Sequence, residues 1–376
     1  MRILFLCGSI EPGRDGVGDY VRLLAKQLTS SMHTISILAL RTHHATLEQY
    51  VSEVHEGIPV QTLSIPAIYP SKKRNLLAKI FVGKVNPEII SLQFVIFSYH
   101  KKGLPFRLGY ELMNIAPQAR WHIMFHEIWI GLQQNVSIKY RIWGYMQKQI
   151  IKSLIYKLRP VKIHTHTRLY KAELEVLYPG VTILPLFSNI PIPAIRDKIS
   201  NHINKSKDNT AFCFVIFGTI HPGAPIFEFA LEAAEYAARN RIHLVFKFIG
   251  RNGKELIQWR SILEDNGFEC IVIGECDVEE IARVLDSANA GISSSAFLTL
   301  EKSGTVAAFR DFGLPVLCIA RYWEPRIPFN LSNQFNDITN YHSGTLKKFL
   351  EERSISFQAD TLDAIAKQFI NDITDL

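Results

Sequence analysis

The sequence predicts an α/β protein with two doubly wound parallel-sheet domains, and three observations lead to that prediction. Short apolar runs alternate with longer stretches of helical periodicity almost to the end of the chain, a pattern typical of parallel strands covered by helices on both faces. A glycine-rich segment, Gly8–Gly18, separates the first apolar run from the first helical stretch. The chain has 376 residues, which is too long for one ordinary core, and a proline-containing and polar stretch lies near its middle.

The first half of the chain alternates predicted strands and helices. Each predicted strand is a short apolar run, and each predicted helix repeats its apolar residues every three or four positions. The predicted strands are Ile3–Cys7, Thr34–Leu40, Val60–Ser64, Ile89–Phe94, His122–Phe125, Lys162–His164 and Thr182–Pro185. The predicted helices include Tyr20–Ser30 and Ile138–Lys157.

The second half repeats this alternation. Its predicted strands are Phe212–Phe217, Leu244–Ile249, Cys270–Ile273, Ala290–Ser293 and Pro315–Ile319, and its predicted helices are Ile226–Arg239, Lys254–Asn266, Val278–Ser287 and Gly304–Phe312. Between the halves, Ser188–Ala194 contains two prolines and Ser200–Asn209 is polar, so we expect a linker there. The first domain is therefore predicted to be 1–190, and the second to begin at 191.

The composition excludes several classes of protein. At 47% hydrophobic and 20% charged residues, it is that of an ordinary globular chain. No apolar run reaches the roughly 18 residues of a transmembrane helix, and the N-terminus enters a strand instead of a secretory leader. The five cysteines form no Cys-x-x-Cys pair, which predicts reduced thiols and a cytoplasmic location. No cluster has metal-ligand spacing, so we expect no metal.

Basic residues are concentrated in the first half. Residues 1–190 carry 23 Lys and Arg against 11 Asp and Glu, whereas residues 191–376 carry 19 against 24. Clusters occur at Lys72–Arg74 and Lys101–Lys102, and Lys139–Lys162 interleaves basic with aromatic residues. Each cluster alone is typical of a solvated helix face. Together they favour a protein surface that binds peripherally to anionic lipid at the inner face of the membrane. No recognised nucleic-acid-binding module accompanies them, so we expect no nucleic-acid partner.

Two turns predict phosphate-binding sites. The first lies before the first helix and offers the backbone amides of Gly16, Val17 and Gly18 to an anion. The second, Glu301–Thr305, lies at a predicted helix start, where backbone amides lack helical partners. Its phosphate-binding candidates are Lys302, Ser303, Gly304 and Thr305. One such turn in each half favours a ligand held between two domains.

Four motifs follow one another along the chain in a distinctive order. They are Asp15–Tyr20 before the first helix, His126-Glu127 at a strand end, Phe217–Thr219 at the start of the second domain, and Glu301–Ala308 followed by Gly313–Val316. In their order and spacing, the chain resembles the GT-B glycosyltransferases and, within them, the retaining group known as family 4. No single motif is specific, but the resemblance in layout covers most of the chain.

The resemblance implies a GT-B fold, in which two Rossmann-like domains face each other across a cleft. Residues 1–190 would bind the acceptor and residues 191–357 the nucleotide sugar, while a C-terminal helix at about 358–376 would pack back on the first domain. The implied donor is a nucleotide diphosphate sugar, with no cofactor and no metal. The implied acceptor is a glycan or lipid-linked glycan of polysaccharide or glycolipid biosynthesis, and the anomeric configuration is retained.

The resemblance also implies site residues. The catalytic candidates are His126, Glu127 and Glu301, with His126 hydrogen-bonded to the donor sugar. A histidine at a strand end is also common as a structural residue, and His164 and His166 at another strand end are second candidates. The donor-binding candidates of the second domain, besides the turn at 301–305, are Gly218, Thr219, His221 and Arg251.

The chain departs from the family pattern at two places. Ala308 occupies the position of the second glutamate of the family's paired glutamates, and the Arg and Lys that clamp the donor diphosphate are replaced by Gly218–Gly223. His221, Arg251 and Lys302 are the basic residues able to neutralise a diphosphate instead. Two alternatives therefore stay open. One is a catalytically inactive GT-B subunit that binds a partner enzyme, and the other is a nucleotide-sugar epimerase or phosphorylase on the same fold.

Overall fold

The computed structural model describes residues 1–11, 13, 16–55, 58–192, 211–329, 335, 337–352 and 361–374. The chain divides into two compact units. Domain 1 comprises Met1–Phe187, Pro325–Pro328 and Asp360–Leu376, and domain 2 comprises Ser188–Glu324 and Phe329–Ala359. The predicted loop Ser200–Asn209 and both ends of the predicted C-terminal helix lie outside the described residues.

Domain 1 contains one mixed sheet flanked by helices. Its strands are β1 (Arg2–Cys7), β2 (Thr34–Thr42), β3 (Gln49–His55), β4 (Ile58–Pro66), β5 (Ile89–Phe94), β6 (Arg120–Phe125), β7 (Lys162–Thr165) and β8 (Thr182–Ile183). Its helices are α1 (Gly16–Ser30), α2 (Ser71–Val85), α3 (Ile96–Tyr99), α4 (Leu108–Ile115), α5 (Ile138–Leu158), α6 (Arg168–Glu175) and, from the C-terminus, α12 (Leu362–Thr374). The strand order is β3-β4-β2-β1-β5-β6-β7-β8, and β3 is antiparallel to β4.

The core of domain 1 explains why the C-terminal helix returns to this domain. On one face of the sheet, Ile3 and Phe5 of β1 pack with Leu24 of α1 and Phe369 of α12 in one buried cluster. The rings of Phe5 and Phe369 lie 5.8 Å apart. Because α12 places Ile365, Phe369 and Ile373 on one side at helical spacing, it covers apolar surface that water would otherwise contact.

Domain 2 contains a parallel sheet between two helical layers. Its strands are β9 (Ala211–Phe217), β10 (His243–Ile249), β11 (Glu269–Gly274), β12 (Ala290–Ser293), β13 (Val316–Cys318) and β14 (Ile338–Asn340). Its helices are α7 (Ile226–Asn240), α8 (Glu255–Asp265), α9 (Val278–Ser287), α10 (Gly304–Asp311) and α11 (Thr345–Glu351), with a 3-10 helix at Phe297–Lys302. The strand order is β11-β10-β9-β12-β13-β14.

Strand β9 shows how the sheet of domain 2 is covered. Phe212, Phe214 and Ile216 belong to a cluster with residues of α7, α8 and α11, whereas Val215 belongs to a cluster on the other face with residues of α9 and α10. Successive side chains of a strand point to opposite faces, so apolar residues at consecutive positions require a layer on each side. The continuous apolar runs of the sequence therefore become buried parallel strands.

Two parts of domain 1 differ from the sequence-based expectation. Strand β3 was not predicted, because its apolar side chains Tyr50, Val51 and Val54 are exposed at the sheet edge and form no buried period. The bounds of helix α2 were not predicted, and the basic cluster Lys72–Arg74 forms its first turn. The expectation of a solvated face is wrong for Arg74, which is only 9% exposed.

None of the described helices is long and apolar enough to cross a membrane. The five cysteines, all of which lie among the described residues, form no disulfide, and Cys7 and Cys318 are buried.

Candidate functional site

The loop after β9 is shaped by Gly218. This residue adopts a φ of +76°, a conformation that favours glycine, and its amide donates to the carbonyl of Ile249 at 3.0 Å. A Cβ added at Gly218 would stand 3.1 Å from the Thr305 side chain, so this loop lies beside the start of α10. The structure thus brings together Gly218 and Thr305, two residues predicted to bind the donor.

Asn252 holds this loop in place. Its side-chain amide donates to the carbonyl of Gly218 at 2.9 Å. Its main-chain carbonyl accepts from the backbone amide of Ile220 at 3.1 Å. Asn252 is buried, whereas its neighbour Arg251 is exposed and forms an ion pair with Glu275 at 2.8 Å. The sequence-based choice of Arg251 therefore selected the residue next to the one that organises the loop.

A cavity of about 380 Å³ opens where the loops after three adjacent strands meet, and we call it the domain 2 cavity. His221 follows β9, Ser294 follows β12 and Arg321 follows β13, and these strands are neighbours in the sheet. The other polar residues that line the cavity are Ser295, Thr299, Lys302 and Ser303. The carboxyl ends of parallel strands are where open α/β sheets bind ligands.

The domain 2 cavity is positively charged. The pKa of His221 is lowered from its ordinary value, first by burial and then by the nearby charges of Lys302 and Arg321. His221 is therefore neutral near pH 7, while Lys302 and Arg321 keep their charges. The backbone amide of His221 donates to Ser294 Oγ at 2.8 Å, which fixes the loop that carries the imidazole. Two cations beside hydroxyl groups form a site suited to a phosphate.

The start of α10 adds a helix N-terminus to this cavity. Ser303 caps the helix, because its Oγ accepts from the amide of Val306 at 3.4 Å, and the same oxygen lies 3.0 Å from Thr305 Oγ1. Gly304 is exposed and has open space around its α-carbon. The first amides of a helix and its dipole favour an anion at this end.

Two predicted residues, Glu301 and Thr219, do not line the domain 2 cavity, and neither does Ala308. Glu301 is half-buried in the 3-10 helix and Thr219 is exposed. Ala308 is fully buried against Phe309 in the core. Because position 308 faces the core, a side chain there contacts apolar residues instead of a ligand.

Sequence reasoning missed Arg321 and Ser294. The signal for both was present, since each follows a predicted strand at its carboxyl end. Position after a strand does not indicate which loops converge, and only the strand order β9-β12-β13 brings these residues to one cavity.

The glycine loop of domain 1 is explained in part by packing. A Cβ added at Gly18 would stand 2.6 Å from the Cα of Ile10, so the helix start approaches the loop too closely for any side chain. Gly16 begins α1 in open space, and Val17 packs against the domain 1 core. The Asp19 carboxylate accepts from the amide of Gly13 at 3.2 Å and forms an ion pair with Arg22.

His126 directly follows β6 and is 7% exposed. Its Nε2 lies 2.9 Å from Gln93 Oε1, and its Nδ1 lies 3.0 Å from His166 Nε2. The Tyr20 ring packs edge-on against both imidazoles, at 5.0 Å from that of His126. Glu127 is half-buried beside it. Both ring nitrogens of the predicted catalytic histidine are thus engaged within domain 1.

His126 belongs to a longer chain of hydrogen bonds, which we call the histidine network. From His126 the chain continues through Gln93 and Ser91 to His122, whose Nδ1 lies 2.7 Å from Ser91 Oγ. His122 Nε2 lies 2.9 Å from His164 Nδ1, and His164 Nε2 lies 2.8 Å from the Asp372 carboxylate of α12.

The other end of the histidine network is His166. Its Nδ1 lies 2.9 Å from the carbonyl oxygen of Leu184. Burial is the main cause that lowers the pKa of both His122 and His164, although Asp372 opposes the shift of His164. The hydrogen bond from His164 lowers the pKa of Asp372, so this carboxylate is ionised.

Among the described residues, no group of three or more His, Cys, Asp or Glu side chains is arranged to hold a metal ion.

No protein-family model and no curated protein sequence matches this chain. Solved structures do match it over almost its whole length. Sucrose-phosphate synthase from Thermosynechococcus elongatus is 13% identical, with a TM-score of 0.58 over 99% of this chain and 95% of that one. The lipopolysaccharide outer core galactosyltransferase WaaB is 13% identical, with a TM-score of 0.54 over 100% and 99%. HepE from Anabaena, solved with UDP and glucose, is 12% identical, with a TM-score of 0.52 over 100% and 98%.

The two parallel-sheet domains and these similarities identify the fold as GT-B, which confirms the predicted fold class. At this level of identity the similarity shows the fold, and the assignment to family 4 stays a prediction.

Proposed function

We propose that this protein is a glycosyltransferase that transfers a sugar from a nucleotide diphosphate sugar to a glycan or lipid-linked glycan. The observation that carries the proposal is the domain 2 cavity, where Lys302, Arg321 and the start of α10 surround a space suited to a diphosphate. The fold supports it, since structural neighbours on this fold include glycosyltransferases. Polysaccharide or glycolipid biosynthesis is the proposed setting.

Charge neutralisation is the chemical role of the cavity. As the sugar leaves, negative charge builds on the diphosphate, and Lys302 and Arg321 stabilise it together with the first amides of α10. Neutral His221 donates or accepts one further hydrogen bond there. These residues can supply the positive charge that the leaving group needs, so we propose metal-independent transfer. Retention follows when the leaving phosphate takes the acceptor proton on the same face of the sugar.

A substitution in the cavity tests this function. We expect Arg321→Met to weaken nucleoside diphosphate binding about tenfold or more, because it removes a charge-assisted hydrogen bond worth roughly 1.5–3 kcal/mol. Calorimetric titration with UDP, GDP, ADP and CDP measures the effect and identifies the base. Arg251→Met is the matched control, since its guanidinium pairs with Glu275. If no nucleoside diphosphate binds, or if both variants bind like the wild type, the proposal is wrong.

An inactive subunit that binds a partner enzyme is the second candidate. Two observations favour it: Ala308 faces the core at the position of a family glutamate, and His126 has partners at both ring nitrogens. The two candidates differ in turnover. If the wild type releases the sugar from the donor that it binds, and His126→Ala does not, the result supports the enzyme. Binding without any turnover, with or without added acceptor, supports the inactive subunit.

We also propose that domain 1 meets an anionic membrane surface from the cytoplasmic side. Helix α5 exposes Ile138, Ile142, Tyr145 and Tyr156 at helical spacing, and the exposed basic residues of the same helix are Lys139, Arg141 and Lys152. Apolar side chains beside lysines and arginines favour insertion at the interface of anionic lipid. Ile142→Ser should reduce co-sedimentation with phosphatidylglycerol vesicles, whereas pure phosphatidylcholine vesicles should bind neither protein.

A further inference from the structure

Domain 1 contains a second positively charged cavity, which we call the domain 1 cavity. It has a volume of about 350 Å³, near the lower end of small-molecule sites. It lies where the end of β2, the first turn of α2 and the segment between α3 and α4 meet. Arg41, Arg74 and Arg107 line it, and Glu111 is the one acidic residue among its lining residues.

Arg74 forms the buried wall of this cavity. Its guanidinium donates to the carbonyls of Tyr69 and Ala67 and to Ser71 Oγ, which holds it at the entry to α2. Burial and the nearby charge of Arg41 lower its pKa, while Glu111 acts in the opposite direction. Two guanidinium groups are therefore held close enough to repel each other, and a single carboxylate opposes them.

Arg41 supplies the unused donor. Its backbone is fixed, because its amide donates to the carbonyl of Gly8 at 2.7 Å. Its Nε is buried and has no hydrogen-bond partner among the described residues. A buried donor on a charged group destabilises the fold when it is left unpaired. An oxyanion in the cavity would satisfy this donor and reduce the repulsion between Arg41 and Arg74 at once.

We propose that the domain 1 cavity binds an oxyanion, a phosphate or a carboxylate. If the chain is the glycosyltransferase proposed above, this anion belongs to the acceptor, and the acceptor is an acidic or phosphorylated sugar. The arginines favour both groups, since a guanidinium matches the geometry of carboxylate and phosphate alike. The assignment of the anion to the acceptor rests on the proposed function, but the anion site itself does not.

The test uses the full chain with Lys302→Met and Arg321→Met, so that anion binding at the domain 2 cavity does not contribute to the readout. Inorganic phosphate and sodium acetate are titrated separately at constant ionic strength, with thermal unfolding as the readout. We expect saturable stabilisation by one or both anions, and the more effective anion distinguishes phosphate from carboxylate. Arg41→Met should lower the affinity for that anion about tenfold or more. Arg107→Met at the cavity mouth should lower the affinity less.

Arg120→Met is the matched control, because Arg120 is exposed at the amino end of β6. Without added anion, Arg41→Met should keep or raise the unfolding temperature, since it removes a repulsion. No saturable effect, or equal effects in Arg41→Met and wild type, would overturn the inference. If none of UDP, GDP, ADP and CDP binds to the chain without the Lys302 and Arg321 substitutions, while the Arg41-dependent effect of the anion is intact, only the proposed function is contradicted.

A second inference comes independently from the histidine network. The ionised Asp372 only accepts, so His164 donates to it through Nε2 and accepts from His122 through Nδ1. His122 then accepts from Ser91, Ser91 accepts from Gln93, and the Gln93 carbonyl accepts from His126 Nε2. His126 Nδ1 is consequently an acceptor from His166.

His166 is therefore left between two acceptors. Its Nε2 faces His126 Nδ1 at 3.0 Å and its Nδ1 faces the Leu184 carbonyl at 2.9 Å. A neutral imidazole has one N–H and can satisfy only one of them. We propose that the His126–His166 pair holds one proton more than two neutral imidazoles carry, and that this proton resides mainly on His166. The buried His122 and His164, whose pKa values are lowered, are poor sites for it.

Nuclear magnetic resonance of the histidine nitrogens tests this charge state near pH 7. We expect both nitrogens of His166 to carry protons in the wild type. In Asp372→Asn the new amide can donate to His164. If the Gln93 amide also turns over, so that its Oε1 accepts from Ser91 and its Nε2 donates to His126, every hydrogen bond of the network reverses and His166 loses its second proton. Asp363→Asn on the same helix is the control, because Asp363 pairs with Lys367 at the surface. A singly protonated His166 in the wild type would refute the inference.

Discussion

The two domains use histidines that follow buried strands in opposite ways. In domain 2, His221 lines an open cavity beside Lys302 and Arg321. In domain 1, His126 lies inside a network in which histidines, Ser91, Gln93 and Asp372 bond to one another. The difference supports the proposal that the polar residues of the domain 2 cavity face a ligand, whereas the polar residues of the histidine network bond to one another inside domain 1. Substitutions should therefore affect binding in one domain and stability in the other.

The largest effect should come from the middle of the histidine network. His122→Ala leaves His164 Nδ1 without its partner, removes one of the two partners of Ser91 Oγ and creates a cavity, so we expect a loss of about 3–5 kcal/mol in the free energy of unfolding. Urea denaturation measures it. His243→Ala removes an exposed histidine of domain 2 and should change stability by about 0.5 kcal/mol or less. Equal losses would remove the proposed contrast.

The next effect concerns the glycine loop. Gly18→Ala places a Cβ within 2.6 Å of the Ile10 backbone, and we expect about 1–3 kcal/mol of destabilisation. Gly16→Ala stands in open space at the start of the same helix and should be neutral within about 0.5 kcal/mol. Thermal unfolding of the two variants compares them directly. A neutral Gly18→Ala would show that the loop yields, and its glycine would then need a reason other than packing.

Acid should weaken the fold through histidines that are buried neutral. The folded-state pKa values of His122, His164 and His221 lie below their ordinary value, so the unfolded chain binds more protons as the pH falls through about 6.5. Stability should therefore fall between pH 7.5 and 5.5, as followed by urea denaturation. His221→Ala should remove the smaller share of this dependence, because His221 is less buried than the other two. The proton proposed on His166 acts in the opposite direction, so the variant is compared with the wild type, and an identical dependence in the two proteins would contradict the assignment of His221 as neutral.

The smallest effect should separate binding from stability in domain 2. Ser294→Ala removes the acceptor of the His221 amide, so it should cost about 1 kcal/mol of stability and weaken nucleoside diphosphate binding about threefold. Ser261→Ala, on the exposed face of α8, is the control for hydroxyl loss. Calorimetric titration measures the affinity for the nucleoside diphosphate, and urea denaturation measures the stability. A change in stability with unchanged affinity would show that this loop is not part of the ligand site.

Most regular elements were predictable because the spacing of their apolar residues in the sequence indicates which side chains are buried. The continuous apolar run of β9 predicted a strand covered on both faces, and the amphipathic period of α9 predicted its bounds, Val278–Ser287. Strand β3 was missed, and the bounds of helix α2 were not predicted, because their side chains lack such a period. Lys302 and Ser303, which line the domain 2 cavity, were predicted from the helix-start pattern, but Arg321 was not, because a position after a strand does not indicate which loops converge.

By itself, the sequence determined two α/β domains with largely parallel sheets, since hydrophobic burial with period two or 3.6 is a local property of the chain. It also placed candidate ligands at strand ends. Only the tertiary structure decided which of them meet: Arg321 joins His221 because β9, β12 and β13 are neighbours, and Asp372 reaches His164 because α12 returns to domain 1. Strand order and the return of a distant helix depend on how whole faces pack, and that information is spread over the chain.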